Sequence, residues 1–127
     1  MEIIEVYKCL CDIQRLRILN LLKGGPLCVC HLIEVLDAGS VKISKQLRYM
    51  KELGMVEVTR EANWMIYSLP QPPNPLVIQN LKCLQDCADE HVCFGDDLKK
   101  RAEILARIES EQSNCPQSVL SANSECC

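Results

Sequence analysis

The sequence has few aromatic residues and no hydrophobic run long enough to cross a membrane. Phenylalanine, tryptophan and tyrosine make up 4% of the 127 residues, whereas hydrophobic residues of all kinds make up 48%. A core with so few rings must be filled by leucine, isoleucine and valine, which favours packed helices. Every apolar run falls short of the roughly 18 residues that span a bilayer. Glu2 and Glu5 stand where a signal peptide has its basic segment, so we expect a cytoplasmic protein without a membrane partner.

Cysteine, in contrast, is abundant, with ten residues in the chain. In a small secreted protein such a number indicates a disulfide framework. This chain has enough hydrophobic residues for a core and no export signal, and the cytosol keeps thiols reduced. We therefore expect free thiols that serve metal binding or redox chemistry, although any single cysteine could equally be a small buried hydrophobic residue.

Charge is unevenly distributed along the chain. The formal net charge of −3 argues against nucleic-acid binding when it is taken for the whole molecule. However, residues 42–51 contain Lys42, Lys45, Arg48 and Lys51 without one acid, and the acids gather after residue 85. A phosphate backbone responds to local charge, because salt screens groups farther away than about 8 Å.

The spacing of apolar residues predicts a mainly α fold with a small β-hairpin. Residues 2–23 form helix with a break near Cys11, after which Asp12 caps the second part. A short helix follows at about 28–36, and after a turn at 37–40 another helix runs to residue 53 and buries Ile43, Leu47 and Met50. Residues 55–60 and 64–69 then change to a period of two, which is typical of a hairpin.

The remainder of the chain is predicted to be helical up to a polar tail. The proline-rich residues 70–75 form a stiff connector. A helix at about 76–91, a break at Phe94–Gly95 and an amphipathic helix at 96–110 follow it. We divide the chain into a winged helix-turn-helix core for DNA binding and sensing (1–70), C-terminal dimerisation helices (71–111) and a disordered, cysteine-containing tail (112–127).

The second of the two short helices has the side chains of a DNA-reading helix. Lys42, Lys45, Gln46 and Tyr49 share one face, and Ser44, Arg48 and Lys51 lie alongside. Cations of this kind bind phosphates, and short polar groups near a helix N-terminus reach base edges. A solvated basic face would look similar on a lone helix, but the hairpin that follows favours DNA. Arg60 and Asn63 near the hairpin tip are placed to reach the backbone or the minor groove.

Four segments closely resemble the ArsR/SmtB family of bacterial homodimeric repressors that sense metals and metalloids. These segments are residues 7–19, Leu27-Cys-Val-Cys-His-Leu32, Lys42-Ile-Ser-Lys-Gln-Leu47 and Gly54-Met-Val56, and the resemblance covers roughly residues 3–69. It implies that Ser40, Lys42, Ser44, Lys45 and Gln46 face the major groove and that Arg60 belongs to the wing. Val41 stands where proline is common, and Gly39-Ser40 replaces a Ser-Gln pair, so the operator sequence could differ.

The resemblance also implies an inducer site at Cys28 and Cys30, with arsenite or antimonite as the ligand. Residues two apart on an ideal helix point about 200° apart. Both thiols can therefore hold one atom only if the first turn is extended or unwound, and we expect capture to favour that distortion. Soft thiolates select soft, thiophilic centres, and no organic cofactor is implied.

The third ligand of such a site stays open. Arsenic-sensing relatives often have a third cysteine in the same helix, where this chain has Ile33. Other candidates are hydroxide, a small thiol, or one of the remaining cysteines on either subunit: Cys9, Cys11, Cys83, Cys87 and Cys93. Cys115, Cys126 and Cys127 in the tail could help by proximity, but we expect no role for them. Asp89-Glu-His91 matches half of a known zinc site, but the only other histidine is His31, which we place on the helix surface rather than among ligands.

These observations predict a homodimeric repressor that binds palindromic double-stranded operator DNA and is released by trivalent arsenic or antimony. The dimer contact would use the N-terminal helix and the helices after residue 76, with half-sites about 34–36 Å apart. The alternatives are a repressor that senses cadmium, zinc, lead or thiol redox state through the same cysteines, and a metal-storage protein. An enzyme is not expected, because Cys30 and His31 diverge on a helix and no Cys-x-x-Cys is present.

Overall fold

The computed structural model describes residues 3–87 and 92–111, in which helices surround a small sheet. The helices are α1 (Ile3–Leu10), α2 (Ile13–Lys23), α3 (Val29–Leu36), α4 (Ser40–Glu52), α5 (Pro75–Asp86) and α6 (Val92–Glu111). The strands are β1 (Leu27–Cys28), β2 (Glu57–Glu61) and β3 (Trp64–Ser68). None of the helices in these two ranges is long and apolar enough to cross a membrane.

The first two helices separate at the predicted break. Asp12 precedes α2 with an extended backbone, and its carboxylate accepts a hydrogen bond from the backbone N–H of Arg15 at 3.1 Å. This cap satisfies one of the free donors at the helix start. Gly24 closes α2, and Gly25 follows with a φ of 135°, a conformation that a side chain would strain. The predicted helix end at this turn is confirmed.

The sheet contains one strand more than the sequence predicted. All its pairs are antiparallel in the order β1-β3-β2, with Glu57 opposite Ser68 in the hairpin. The additional strand β1 pairs Leu27 with Tyr67 and Cys28 with Ile66. Two residues are too few to show a period, which is why the sequence did not reveal β1. The consequence is that Cys28 belongs to the same sheet as the wing.

One hydrophobic core holds the helices and the sheet together. Ile43, Leu47 and Met50 of α4 are fully buried as predicted, and they belong to the same core as Leu32 of α3. Ile104 and Ile108 of α6 also belong to it. The mainly α fold with a hairpin wing after a helix-turn-helix is therefore confirmed. The division of the chain at residue 70 stays a prediction.

The predicted break at Phe94–Gly95 is wrong, because α6 begins at Val92 and continues through both residues. A glycine inside a helix costs about 0.5–1 kcal/mol relative to alanine. Burial of the Phe94 side chain and a hydrogen bond from Asn20 to the Phe94 carbonyl, at 3.4 Å, offset that cost. Helix α5 ends at Asp86, earlier than predicted. The predicted disordered tail at 112–127 lies outside the described residues, as do residues 88–91.

Three arginine side chains fasten α6 to the helix-turn-helix half of the molecule. Arg17 of α2 donates to both carboxylate oxygens of buried Asp97 at 2.7 Å. Arg101 donates to the carbonyl oxygens of Leu21 and Gly25, at 3.1 and 3.2 Å. Helix α6 therefore supports the turn that leads into Cys28. The remaining pair joins Arg107 to Glu34 of α3 on the surface.

Candidate nucleic-acid interface and cysteine site

The exposed face of α4 collects most of the predicted DNA-binding residues. Its apolar face is fixed in the core by Ile43, Leu47 and Met50. The opposite side chains are therefore in solvent, and those of the predicted set that are exposed on α4 are Ser40, Lys42, Ser44, Lys45 and Arg48. They form a positively charged surface on one side of the molecule, which suits a polyanion.

Gln46 differs from the other members of that set. It is half-buried and bridges to α2: its amide oxygen accepts from Arg15 Nη1 at 3.1 Å, and its amide nitrogen donates to Asp12 Oδ1 at 3.4 Å. The Arg15 guanidinium also lies 4.7 Å from the ring centroid of Tyr49. Gln46 and Tyr49 thus hold α4 against α2. This role was missed, because the partners lie more than 30 residues earlier in the chain.

The wing holds Arg60 beside the tip of the hairpin. Arg60 is exposed in β2, and its Nε donates to the carbonyl of Ala62 at 3.3 Å. Burial raises the pKa of Tyr67 in β3, and the positive charge of Arg48 on α4 opposes that rise.

Cys28 and Cys30 meet without any unwinding of the helix. Cys28 is the residue before α3, with φ −73° and ψ 153°, so it is extended, and its side chain is fully buried. Cys30 lies in the first turn and is exposed. A hydrogen bond from Cys28, supported by one from His31, lowers the pKa of the Cys30 thiol to about 4 against the effect of burial. Cys28 therefore has the extended backbone that the sequence predicted both thiols need in order to hold one atom. That capture of a ligand favours a distorted turn stays a prediction.

His31 is part of the support for this pair. The sequence placed it on the helix surface, which is wrong, because only 5% of it is exposed. Its Nδ1 accepts a hydrogen bond from the backbone N–H of Cys28 at 3.3 Å. The ring centroid lies 6.4 Å from that of Trp64. His31 therefore fixes the backbone of Cys28 and contacts the wing.

An open cavity of about 440 Å³ lies in front of the two cysteines. Its walls come from the start of α3 and from the hairpin, and its lining residues are Cys28, Val29, Cys30, Asn63, Trp64 and Met65. The sequence predicted the hairpin but not that its tip packs against the cysteines. The presence of a tryptophan at the hairpin tip, in a chain so poor in aromatic residues, was the feature of the sequence that could have indicated this contact.

The other candidate sulfurs do not complete a cluster with this pair. Cys9 is fully buried, which raises the pKa of its thiol and makes it a poorer ligand. Cys11, Cys83 and Cys87 are exposed, and Cys93 is partly exposed. Among residues 3–87 and 92–111, no three cysteine, histidine or acidic side chains are placed to hold a metal ion. The half zinc motif and the last three cysteines, Cys115, Cys126 and Cys127, lie outside the described residues.

The donor set therefore fits some thiophilic ions better than others. Two thiols, one of them with a lowered pKa, suit a soft centre that accepts few sulfur ligands. Tetrahedral zinc or cadmium would need four protein ligands, and the described part of one chain does not bring them together.

We expect Cys30 to react with iodoacetamide at nearly the same rate at about pH 6 and pH 8, since the thiolate is the reactive form. An ordinary thiol, with a pKa of about 8.5, speeds up about tenfold per pH unit in that range. The measurement is alkylation followed by peptide mapping. Cys28→Ala removes the main hydrogen bond that lowers the pKa of Cys30, so pH dependence should return. Equal pH dependence in both proteins would contradict this prediction.

Comparison with known proteins places residues 9–58 in a described family, "bacterial regulatory protein, arsR family". The arsenic resistance transcriptional regulator ArsR1 of Pseudomonas putida is 39% identical over 106 residues, which cover 83% of this chain and 81% of that protein. The structure of the AntR antimony-specific transcriptional repressor matches with a TM-score of 0.59 and 26% identity, over 70% of this chain and 81% of that one. The homodimeric winged helix-turn-helix domain Mb0332 of Mycobacterium bovis matches with a TM-score of 0.57 and 29% identity, over 71% and 81%.

Proposed function

Because the chain belongs to the arsR family of bacterial regulatory proteins, and is therefore a DNA-binding transcriptional repressor and not an enzyme, we propose that trivalent arsenic or antimony is its inducer. Binding of the metalloid to Cys28 and Cys30 would release the operator. The observation that carries this proposal is the meeting of the two thiols in front of the wing, with the pKa of Cys30 lowered by Cys28.

The names of the similar proteins support the choice of ligand. One is an arsenic resistance regulator and another an antimony-specific repressor. Both elements in the trivalent state form three bonds and favour sulfur, and the two thiols supply two of the three bonds. Cadmium, zinc or lead through the same cysteines is the alternative. It requires further ligands, either from a partner subunit or from residues outside the described part of the chain.

We propose a homodimer that works in the cytoplasm on palindromic DNA. Ile3, Ile4 and Tyr7 on α1 are 56%, 59% and 44% exposed, an apolar surface that suits a subunit contact. The similar domain Mb0332 is described as homodimeric. Helices after residue 71 would complete the contact, and two α4 helices would read half-sites about 34–36 Å apart. Sedimentation as a monomer at micromolar concentration would contradict the homodimer.

Strand β1 offers a path from the cysteines to the DNA-reading surfaces. Cys28 pairs with Ile66 of β3, and β3 in turn pairs with β2, where Arg60 lies. Metalloid bound to both thiols would shift the backbone of Cys28 and with it the wing. The metalloid need only bind the shifted form more tightly. A coupling free energy of about 1–3 kcal/mol changes operator affinity about 5–150-fold.

The test is a fluorescence-anisotropy titration of operator DNA from the promoter of this gene, in excess reductant. Arsenite, antimonite, cadmium and zinc are added separately. We expect release by arsenite or antimonite. Release by cadmium or zinc, but not by arsenite or antimonite, would support a repressor and contradict the proposed inducer. Loss of binding only after the reductant is removed would favour redox sensing, and no operator binding at all would favour metal storage.

We expect Lys45→Ala to weaken operator binding and to reduce the salt dependence of that binding. The Lys45 side chain is exposed on the basic face of α4, and each phosphate contact that is lost lowers the slope of log affinity against log salt by about 1. The measurement is anisotropy at several salt concentrations. Lys99→Ala on α6 is the control, since it removes the same charge from an exposed position away from α4, and an equal change in slope for both variants would contradict the prediction.

A further inference from the structure

We propose that Val41 on α4 contacts the C5 methyl group of a thymine in the operator and selects the base at that position. The inference rests on the proposed function, since it requires α4 to lie in the major groove. It goes beyond operator binding, because the DNA-binding residues predicted from the sequence are all polar or charged. Val41 adds an apolar contact that distinguishes one base from the others.

The first observation is the exposure of the Val41 side chain. At 68% it is the most exposed large hydrophobic residue in the part of the chain that the structure describes. A single exposed hydrophobic side chain is ordinary on a protein surface. This one, however, contributes little to the core, and a β-branched residue forms helix less readily than alanine. Val41 therefore stabilises neither the core nor α4, and its side chain is available to a partner.

The second observation is the position of Val41 in the middle of the exposed face of α4. Side chains that are three, four or seven residues apart lie on the same side of a helix. Val41 therefore shares its side with Ser44, Lys45 and Arg48, which are all exposed, and the buried face of α4 points the other way. An apolar group bordered by cations suits DNA, because cations bind the phosphates while the group between them meets the bases.

The position of Val41 along α4 also suits a contact with bases. Helix α4 begins at Ser40, so Val41 lies in its first turn, and the side chains of a helix lean toward its N-terminus. In helix-turn-helix proteins the N-terminal residues of the second helix contact base edges. Gly39 before the helix borders open space, since a Cβ there would meet no atom within 4 Å. The approach to the start of α4 is therefore not blocked at that residue.

Thymine is the base whose chemistry fits this side chain. It alone presents an apolar group, its C5 methyl, in the major groove, and the other bases present hydrogen-bond donors and acceptors that valine cannot pair with. Contact between valine and the methyl group removes apolar surface from water. The transfer free energy of one methyl group corresponds to a change of about fourfold in affinity.

The test replaces each thymine of the operator in turn by deoxyuridine, which lacks only the C5 methyl group. Fluorescence anisotropy at fixed salt measures the affinity of the unaltered chain for each duplex, so the folding of a variant does not affect this result. We expect one thymine in each half-site at which deoxyuridine weakens binding about fourfold. The same duplexes are then measured with Val41→Ala, for which the difference between thymine and deoxyuridine should largely disappear.

Val92→Ala is the matched control. Val92 is 61% exposed and is the first residue of α6, so the substitution removes the same two methyl groups from the start of another helix. It should leave the ratio of the affinities for thymine and deoxyuridine unchanged. Val41→Ala should also keep the salt dependence of operator binding, unlike Lys45→Ala, because valine neutralises no phosphate.

The outcomes separate this inference from the proposed function. Operator binding without any thymine at which deoxyuridine matters would overturn the inference, and so would an equal effect of deoxyuridine on the unaltered chain and on Val41→Ala. A change in the sedimentation of Val41→Ala would assign the residue to a contact between subunits and would also overturn it. Failure of the unaltered chain to bind any duplex from the promoter would overturn the proposed function itself.

Discussion

Cys28→Ser and Cys30→Ser proteins are expected to stay on operator DNA at arsenite concentrations that release the unaltered chain. Each substitution leaves one sulfur, and a single arsenic–sulfur bond has no chelating partner to hold it. The affinity for DNA without inducer should not change, because neither residue lies on the exposed face of α4. The inducer effect on affinity, about 5–150-fold in the unaltered protein, should disappear in both variants.

Anisotropy with and without arsenite measures this effect, and Cys83→Ser is the matched control. Cys83 is an exposed cysteine on α5 and tests whether loss of any accessible thiol has the same result. We expect Cys83→Ser to respond like the unaltered chain. If Cys28→Ser and Cys30→Ser respond normally and Cys83→Ser does not, the sensing site lies on the later helices instead.

Arg17→Met is expected to lower the free energy of unfolding by about 3–5 kcal/mol, the usual cost of leaving one buried charge without its partner. The side chain of Asp97 is 2% exposed, and both of its carboxylate oxygens accept from Arg17. The hydrogen bond to Asp97 also raises the pKa of Arg17, as expected for a strong pair. In the Arg17→Met protein the buried Asp97 carboxylate loses both hydrogen bonds that Arg17 donates to it.

Urea unfolding at a fixed protein concentration, followed by circular dichroism, measures the change. The concentration is fixed because the proposed dimer would make stability depend on it. A double variant that also carries Asp97→Leu should recover much of the loss.

The surface pair Arg107–Glu34 provides the comparison for this prediction. Its side chains are 48% and 43% exposed, so Arg107→Met should cost no more than about 1 kcal/mol. If Arg17→Met costs no more than Arg107→Met, then the buried pair does not stabilise the contact between α2 and α6.

The sequence alone predicted the order of the helices, the hairpin and the buried face of α4. Each of these depends on local signals: the cap at Asp12, the glycines after Lys23 and the spacing of Ile43, Leu47 and Met50. The resemblance carried by Leu-Cys-Val-Cys also identified Cys28 and Cys30 as candidate ligands. Local signals gave a wrong prediction where tertiary packing opposed them. Gly95 predicted a break, but it lies inside α6 because burial of Phe94 stabilises the helix there.

Only the tertiary structure decided how the cysteine site is built. Strand β1 extends Cys28 and joins it to the wing, Trp64 lines the cavity, and Arg101 of α6 donates a hydrogen bond to the turn before the site. These contacts join residues that are far apart in the sequence, up to 76 positions for Arg101 and Gly25, and they are made by single side chains or two-residue strands. Periodicity and capping depend only on residues that are a few positions apart along the chain, so they cannot predict contacts between distant residues. The path of the folded chain determines which surface each side chain meets.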